Sequence, residues 1–488
     1  MKSFRNVIWL LLAVGFSGFS AQAELRVAAI FGDNMVLQRQ MAVPVWGWAA
    51  PDATVTVKFA GQTKTARAAA GGKWLVKLGK LKATFDPQTL TIEAGETKTF
   101  TNILVGEVWL ASGQSNMEKP VGKQAGQKPT LNAEAELAAA EYPNIRLFKV
   151  DKNLAAAPLA DLGPNSGWRA CSSNSLDGLS FSAAAYFFGR EIHTNLNVPV
   201  GLVESSWGGT RIEPWTPPAG FEKVASQKKF AVTVLDPAKK LANTDPTAIY
   251  NAMIAPVAGF AMRGALWYQG ESNLMGTKAD NDYLEYADKM QALVGGWRAI
   301  WGEGDFAFYF VQIAPFKYSG PKYVRVASPE MLPEFWALQS RAARTIPHTG
   351  MAVTTDLVDN LEDIHPRDKK DVGHRLALLA LDKTYEKEVE SEGPVFEKAK
   401  FKAGKAILEF KHDDGLKSRD GQPLTWFTIA GADGKFVPAE ANVVGETVEV
   451  SAKEVATPVA VRFAWNEAAQ PNLCNAAGLP AEPFRTDK

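Results

Sequence analysis

The sequence places one serine where its hydroxyl could act as a nucleophile. The mostly apolar run 103–110 is typical of a buried strand, and Gly113 allows a sharp turn after it. Ser115 then lies on that turn, in the segment SGQSN. A serine nucleophile has to be exposed, held on a rigid scaffold and flanked by free backbone N–H groups. The same five residues could instead form an ordinary polar turn, so the choice depends on partners elsewhere in the chain.

Three further predicted strands also end in polar segments, and two of these segments contain glycines. The segments SWGGT (206–210), QGESN (269–273) and DNLEDIHP (359–366) follow strands that we predict over 198–205, 262–268 and 350–358. Ligands bind at the carboxyl ends of the strands in an open parallel sheet. These segments and the Ser115 turn could therefore converge at one edge.

One of the five histidines, His365, lies in a loop past a predicted strand end. Asp363, two residues earlier, could fix the tautomer of the imidazole and stabilise its protonated form. A developing oxyanion could be held by the N–H groups of Ser115 and of Gly208 or Gly209, and by the side-chain amide of Gln269. The alternative for any single histidine is a solvated surface position.

The periodicity of the chain predicts three regions. Residues 24–101 show short alternating segments with Gly and Pro between them, which is typical of a small β-sandwich. Residues 102–388 alternate strands with helices that we predict over 183–196, 283–301, 334–345 and 371–385. This alternation indicates an α/β domain with a mostly parallel sheet and helices on both faces. Residues 389–488 return to short strands and predict a second β-domain.

The bulk composition excludes some classes of protein and indicates export. Lys+Arg and Asp+Glu both number 53, which gives no support to a nucleic-acid partner. Residues 1–23 have the layout of a secretory signal, with cleavage expected after Ala23. This signal predicts an exported protein, periplasmic or extracellular. No other stretch is apolar enough to span a membrane, so we expect no membrane association after cleavage. Cys171 and Cys474 form no disulfide framework pattern, and no Cys/His spacing suggests zinc.

The polar motifs resemble one known family. The segments VGEVWLASGQSNM, ESSWGGTRIEPW, WYQGESN and DIHPRDK, in this order, are similar to the sialate O-acetylesterase family, a branch of the SGNH-type esterases. DNMVLQR, PVWGWA and NLCNAAGLPAEPFRT resemble it too, so the similarity covers nearly the whole mature chain. The similarity implies an SGNH-hydrolase-like, flavodoxin-like three-layer domain, flanked by β-sandwich-like regions. It also implies an activity that needs no metal or organic cofactor. Cys474 stands where the family suggests an aromatic residue, which argues against an obligatory disulfide there.

The resemblance also assigns roles to positions of this chain. Ser115 matches the nucleophile, His365 the general base and Gly208 the second oxyanion donor, while Gln269 looks like the third donor. The wider superfamily has its acid three residues before the histidine, where this chain has Glu362.

We expect Asp363 to be the acid. Glu362 is the alternative, as is a Ser–His dyad steered by a backbone carbonyl. Trp207, Arg211 and Glu271 could line the sugar pocket, or the first two could be structural loop residues.

Two hypotheses about function follow. The first is a carbohydrate esterase that removes O-acetyl groups, with 9-O-acetylated sialic acid as the substrate that the resemblance implies. Acetylated xylan or xyloglucan is the alternative substrate. The second is a non-catalytic sugar-binding protein, whose 14 tryptophans would supply binding platforms. An intact pair of Ser115 and His365 favours the enzyme.

Overall fold

A computed structural model of the chain describes residues 24–164, 167–232, 235–276, 282–320 and 326–487. The signal peptide predicted for residues 1–23 lies outside these ranges. No helix within them is long and apolar enough to cross a membrane.

The N-terminal region consists mostly of short strands, as its alternating sequence predicts, and ends in two longer strands. The strands are β1 (Arg26–Val27), β2 (Val36–Gln38), β3 (Val43–Trp48), β4 (Thr54–Phe59), β5 (Gln62–Arg67), β6 (Lys73–Leu78), β7 (Thr84–Glu93) and β8 (Thr97–Gly113). β1, β3 and β6 form a sheet of their own, whereas β2, β4, β5 and β7 belong to the sheet that contains β8. The boundary predicted between Thr101 and Asn102 falls inside β8. The division into three domains stays a prediction.

The central region alternates strands and helices. Its elements are α1 (Ser115–Glu118), α2 (Ala133–Ala138), β9 (Tyr142–Lys149), β10 (Arg169–Cys171), α3 (Ser173–Gly178), α4 (Ala183–Leu196), β11 (Val200–Ser206), α5 (Pro218–Lys223), α6 (Lys228–Ala231), β12 (Gly264–Tyr268), α7 (Glu271–Leu274), α8 (Tyr286–Trp301), β13 (Ala307–Val311), α9 (Met331–Thr345), β14 (Thr349–Ala352) and α10 (Lys369–Lys383). Short 3₁₀ segments lie at Glu213–Trp215, Ala225–Gln227, Ala255–Val257 and Asp282–Glu285, and a π-helical turn at Tyr250–Ile254. The four predicted helices correspond to α4, α8, α9 and α10.

The main sheet, predicted to be mostly parallel, is mixed and contains both parallel and antiparallel pairs. Its path runs β10-β9-β11-β8-β12-β13-β14, and all neighbours are parallel except β10 with β9. The antiparallel pairs of β7 with β8, β4 with β7 and β4 with β5 extend the same sheet, because β8 is long enough to pair with both regions. Within the path, β11-β8-β12-β13-β14 has the 2-1-3-4-5 order of flavodoxin-like folds.

Helices cover both faces of this sheet. Trp109 and Ala111 of β8 belong to the buried cluster that includes α4 and α10. Val108 and Leu110 belong to the cluster that includes α8, α9 and the N-terminal strands. Successive side chains of a strand point to opposite faces, so the apolar run of β8 is buried on both sides. This double burial holds the carboxyl end of β8 rigidly.

The C-terminal region is again built of strands. They are β15 (Val395–Lys402), β16 (Lys405–Lys411), β17 (Lys417–Ser418), β18 (Phe427–Ala430), β19 (Val437–Pro438), β20 (Glu440–Val444), β21 (Thr447–Ser451), β22 (Ala460–Phe463), β23 (Leu473–Cys474) and β24 (Phe484–Arg485). These strands form sheets in the orders β15-β16-β21-β20, β17-β23 and β19-β18-β22-β24, around a hydrophobic cluster of their own. Cys171 and Cys474 are both buried free thiols.

Candidate active site

The carboxyl ends of β8, β11 and β12 lie level with one another. Gly113 is the register partner of Ser206 on one side and of Tyr268 on the other. Its φ is +142°, and a Cβ there would lie 2.1 Å from the Tyr268 carbonyl oxygen, so a side chain would clash with the backbone. The glycine lets the chain turn at this point, and Ser115 begins the short helix α1 directly after the turn.

The structure brings Ser115 and His365 together across 250 residues of sequence. The Oγ of Ser115 lies 2.9 Å from the Nε2 of His365, within hydrogen-bonding distance. Ser115 is partly exposed, and the His365 side chain retains 18% exposure, so a small ester can reach the hydroxyl. A hydroxyl bonded to an imidazole is the arrangement that activates a serine as a nucleophile.

Asp363, and not Glu362, is the acid that faces the imidazole. The Oδ1 of Asp363 accepts the backbone N–H of His365 at 3.0 Å and lies 3.8 Å from Nδ1 of the ring. Glu362 is 68% exposed and pairs with Lys317 at 2.6 Å. At 3.8 Å Asp363 makes an electrostatic contact with the ring rather than a hydrogen bond.

The surroundings of His365 favour a neutral imidazole. Burial, followed by the charges of Lys369 and Lys119, lowers the pKa of His365 from 6.5 to about 4, although Asp363 acts in the opposite direction. A neutral ring at ordinary pH has a free lone pair, which is the state a general base needs.

The predicted oxyanion donors fall into two groups. The N–H of Gly208 donates to Oε2 of Glu118 at 2.7 Å, and Glu118 in turn forms an ion pair with Lys152. The expected Gly208 donor is therefore already engaged. The N–H groups of Ser115 and Gly209 meet no acceptor among the residues that the structure describes. These two are the donors that remain open to an oxyanion.

The structure does not support Gln269 as an oxyanion donor. The side chain is fully buried, and its Nε2 donates to Gln114 Oε1 at 3.1 Å, Thr210 O at 3.1 Å and Asn273 Oδ1 at 2.8 Å. Its Oε1 accepts the hydroxyl of Tyr286 at 3.0 Å. Both amide hydrogens are therefore used to join neighbouring loops, and we assign Gln269 a structural role.

Of the three predicted sugar contacts, Trp207 remains available. Its ring is partly exposed, with the Nζ of Lys152 5.9 Å from the ring centre. Arg211 is held by Asp282 and by Glu213, so its guanidinium is engaged within the protein. Of the two predicted roles of Arg211, this finding favours that of a structural loop residue.

Glu271, predicted as a sugar contact, is the first residue of helix α7 and is turned inward. Glu271 is 1% exposed, and its Oε1 accepts the Nδ2 of Asn116 at 2.5 Å. It therefore lies beneath the site rather than at its surface. Sequence reasoning also missed Asn116 and Lys369, which meet at 2.8 Å under the pair of Ser115 and His365. Their only signal was their position inside the GQSN and HPRDK segments.

Comparisons with known proteins agree with this geometry. The family described as "carbohydrate esterase, sialic acid-specific acetylesterase" matches residues 105–382. Human sialate O-acetylesterase is 31% identical, with 95% of this chain and 93% of that protein covered. The rat sialate O-acetylesterase is 30% identical, with 98% of this chain and 97% of that protein covered. A crystal structure of a carbohydrate acetylesterase from Xanthomonas citri is 36% identical, with a TM-score of 0.84, covering 95% of this chain and 100% of that one.

These relatives, together with the contact between Ser115 and His365, define a carboxylic ester hydrolase of the carbohydrate esterase class. The chain belongs to the sialic acid-specific acetylesterase family of carbohydrate esterases.

Proposed function

We propose that this esterase removes O-acetyl groups from sugars through an acetyl-enzyme formed on Ser115. The observation that carries the proposal is the 2.9 Å contact between Ser115 Oγ and His365 Nε2 at the carboxyl edge of the sheet. Ser115 is the nucleophile, His365 the general base and Asp363 the acid that orients the ring. No metal or organic cofactor takes part in these steps.

The reaction has two halves. In the first, Ser115 Oγ attacks the acetyl carbonyl carbon while His365 Nε2 takes the hydroxyl proton, and the N–H groups of Ser115 and Gly209 bind the oxyanion. The sugar oxygen then leaves with the proton from His365. In the second half, water attacks the acetyl group, His365 takes a proton from it, and acetate leaves as Ser115 Oγ regains that proton.

The acetyl-enzyme can be observed directly. The protein is mixed with 4-nitrophenyl acetate, quenched in acid and digested, and the peptide that contains Ser115 is examined by mass spectrometry. We expect that peptide to carry an acetyl group on Ser115, and a fluorophosphonate to label the same residue. An enzyme that turns over this ester with neither modification on Ser115 would contradict the proposal.

We propose O-acetylated sialic acid as the substrate. The support is the name shared by the human and rat relatives, sialate O-acetylesterase, which match over nearly the full chain. Acetylated xylan or xyloglucan fragments are the alternative, since the neighbour from Xanthomonas citri is named only a carbohydrate acetylesterase. Acetate release should be measured on 9-O-acetylated sialosides and acetylated xylan fragments at matched acetyl concentrations. A higher kcat/KM on the sialosides is expected, and the reverse order would select the polysaccharide.

A sugar-binding role without catalysis is less well supported. That hypothesis relies on many exposed tryptophans, but most of the large rings are in the core. Six tryptophans are among the largest fully buried side chains: Trp74, Trp109, Trp215, Trp267, Trp297 and Trp336. The abundance of tryptophan therefore reflects core packing.

We propose that the protein is exported, to the periplasm or the outside of the cell. The support is the layout of residues 1–23, with Lys2 and Arg5 before an apolar run and small residues before Glu24. N-terminal sequencing of the mature protein should begin at Glu24. A mature protein that keeps Met1 would contradict export by this route.

Substitutions at Asp363 and Glu362 test which of these two carboxylates is the triad acid. We expect Asp363→Asn to lower kcat about tenfold to a hundredfold, because it removes the charge beside Nδ1 but no ring hydrogen bond. Glu362→Gln should keep the wild-type rate, because Glu362 pairs with Lys317 at the surface. Steady-state hydrolysis of 4-nitrophenyl acetate measures both, and the opposite pattern would move the acid to Glu362.

The pH dependence of kcat/KM should show the lowered pKa of His365. The imidazole must be neutral to accept a proton, so activity is lost as pH falls through its pKa. With that pKa at about 4, we expect full activity at pH 5.5. A histidine with an ordinary pKa of about 6.5 would be only about one-tenth neutral at that pH. The measurement is the initial rate between about pH 3.5 and 8, corrected for spontaneous hydrolysis. It locates the acid limb, which is the part of the pH profile where kcat/KM falls as the pH is lowered. A limb near 6.5 would contradict this prediction.

A further inference from the structure

A buried polar network beneath the catalytic pair joins the nucleophile turn to the histidine loop. Asn116, the residue after the nucleophile, is 1% exposed and donates through Nδ2 to the Ile364 carbonyl at 3.0 Å. Lys369 is fully buried, and its Nζ donates to the Pro366 carbonyl at 2.7 Å and to Asn116 Oδ1 at 2.8 Å. The carbonyl groups on both sides of His365 are therefore held by two side chains that also bind each other.

The network contains one buried acidic and one buried basic side chain. Glu271 accepts the Nδ2 of Asn116 at 2.5 Å, and its second oxygen has no hydrogen-bond partner among the described residues. The Nζ of Lys369 lies 5.2 Å from the centre of the Tyr268 ring. Burying an ammonium and a carboxylate costs free energy, and apolar residues of similar volume are often no worse for stability. The free energy needed to bury these polar groups is not explained by stability alone. Because the network lies directly under Ser115 and His365, we infer that it serves the reaction.

We propose that Lys369 and Asn116 are positioning residues of the esterase, which hold the imidazole of His365 against the hydroxyl of Ser115 by fixing the backbone on either side of it. This inference rests on the proposed roles of Ser115 and His365. Neither positioning residue touches the substrate. They act through His365, whose loop after β14 has no regular secondary structure to orient it.

Lys369 also acts on His365 through its charge. The titratable and charged groups that face the imidazole are Lys369, Lys119 and Asp363, and those near Lys369 also include Glu271 and Asp368. Burial is the largest cause of the lowered pKa of His365, and the Lys369 charge comes next. Burial, followed by the charge of Lys119, lowers the pKa of Lys369 to about 7. Lys369 is therefore still protonated where the histidine titrates.

The test uses two variants with different expected signatures. Lys369→Met keeps an unbranched side chain, one atom shorter, but removes its charge and its donors, whereas Asn116→Ala removes the link to the Ile364 carbonyl and leaves the charge. We expect both to lower kcat about tenfold to a hundredfold, with KM for 4-nitrophenyl acetate changed by less than about threefold. Only Lys369→Met should also move the acid limb of kcat/KM upward, by about half a pH unit or more.

Two matched controls separate this role from loss of stability. Arg298 is a buried cation that donates to the Phe306 and Pro347 carbonyls, away from the site. Asn475 is 1% exposed and donates to the carbonyls of two neighbouring segments in the C-terminal region. Arg298→Met and Asn475→Ala should lower the melting temperature as the test variants do, yet keep the wild-type kcat and acid limb.

A third variant covers the case in which Lys369→Met does not fold. Lys369→Gln keeps a donor without the charge, so the acid limb should still move up while kcat falls less. Rates are expressed per active site titrated with a fluorophosphonate, so that unfolded protein does not count. Folded variants at Lys369 and Asn116 with the wild-type kcat and acid limb would overturn the inference. An active Ser115→Ala would instead overturn the proposed function itself, which keeps the two failures distinguishable.

Discussion

Replacement of Ser115 by alanine should lower kcat for 4-nitrophenyl acetate at least about a thousandfold. The substitution removes the oxygen that lies 2.9 Å from His365 Nε2 and leaves the backbone turn and its N–H groups in place. The loss should not be complete, since the proposed oxyanion donors, the N–H groups of residue 115 and Gly209, remain during direct attack by water. A thousandfold loss corresponds to about 4 kcal/mol of transition-state stabilisation.

Ser112→Ala is the matched control for this substitution. Ser112 lies three residues earlier on β8, is fully buried, and its hydroxyl has no hydrogen-bond partner among the described residues. Removal of an unpaired buried hydroxyl should leave both stability and turnover close to the wild type. Steady-state kinetics and thermal unfolding of the two variants make the comparison. A Ser115→Ala enzyme with wild-type turnover would rule out the acetyl-enzyme mechanism.

The contact between Ser115 and His365 could be predicted from sequence because parallel strands bring their carboxyl ends to one edge. Ser115 follows β8 and His365 follows β14, and the carboxyl ends of parallel strands share one edge of the sheet. A residue in such a loop can meet another one far away in sequence, here 250 residues apart. Two facts were enough to predict this contact: one residue is a serine and the other a histidine, and each follows a parallel strand.

The direction of individual side chains was not predictable in the same way. Gln269 and Glu271 follow β12 at the correct edge, but both turn inward, where Tyr286 and Asn116 meet them. Whether an amide faces a substrate or a neighbouring loop depends on which acceptors the fold brings near it. Periodicity contains no information about such contacts between loops.

Gly208 shows the same limit for a backbone group. The WGG segment lies beside Ser115, as predicted. A Cβ placed on Gly208 would be only 3.2 Å from the Cβ of Ser115. Its N–H is nevertheless bonded to Glu118, which comes one turn after the nucleophile. The domain boundary predicted at residue 101 falls inside β8, since a change of period does not require a strand to end.

Replacement of His365 by alanine should lower kcat about a thousandfold, and the lost activity should be recoverable with added imidazole. Both halves of the proposed reaction need a base at Nε2, and general acid–base catalysis contributes typically about 10²–10⁴-fold. The His365 side chain is 18% exposed, so its removal leaves an opening through which a small base can reach Ser115 Oγ. The residual rate should also lose the acid limb, because the group that titrates at about pH 4 is gone.

Imidazole rescue separates a missing base from a damaged fold. His412→Ala serves as the control, because His412 pairs with Glu390 and Glu392 in the C-terminal region and touches neither catalytic residue. It should keep wild-type turnover and respond to imidazole no more than the wild type does. Ser115→Ala should gain nothing from imidazole, because a base is useless without the hydroxyl that it activates. If imidazole restored Ser115→Ala as well as His365→Ala, the added base would be activating water directly, and His365 would not be the base for Ser115.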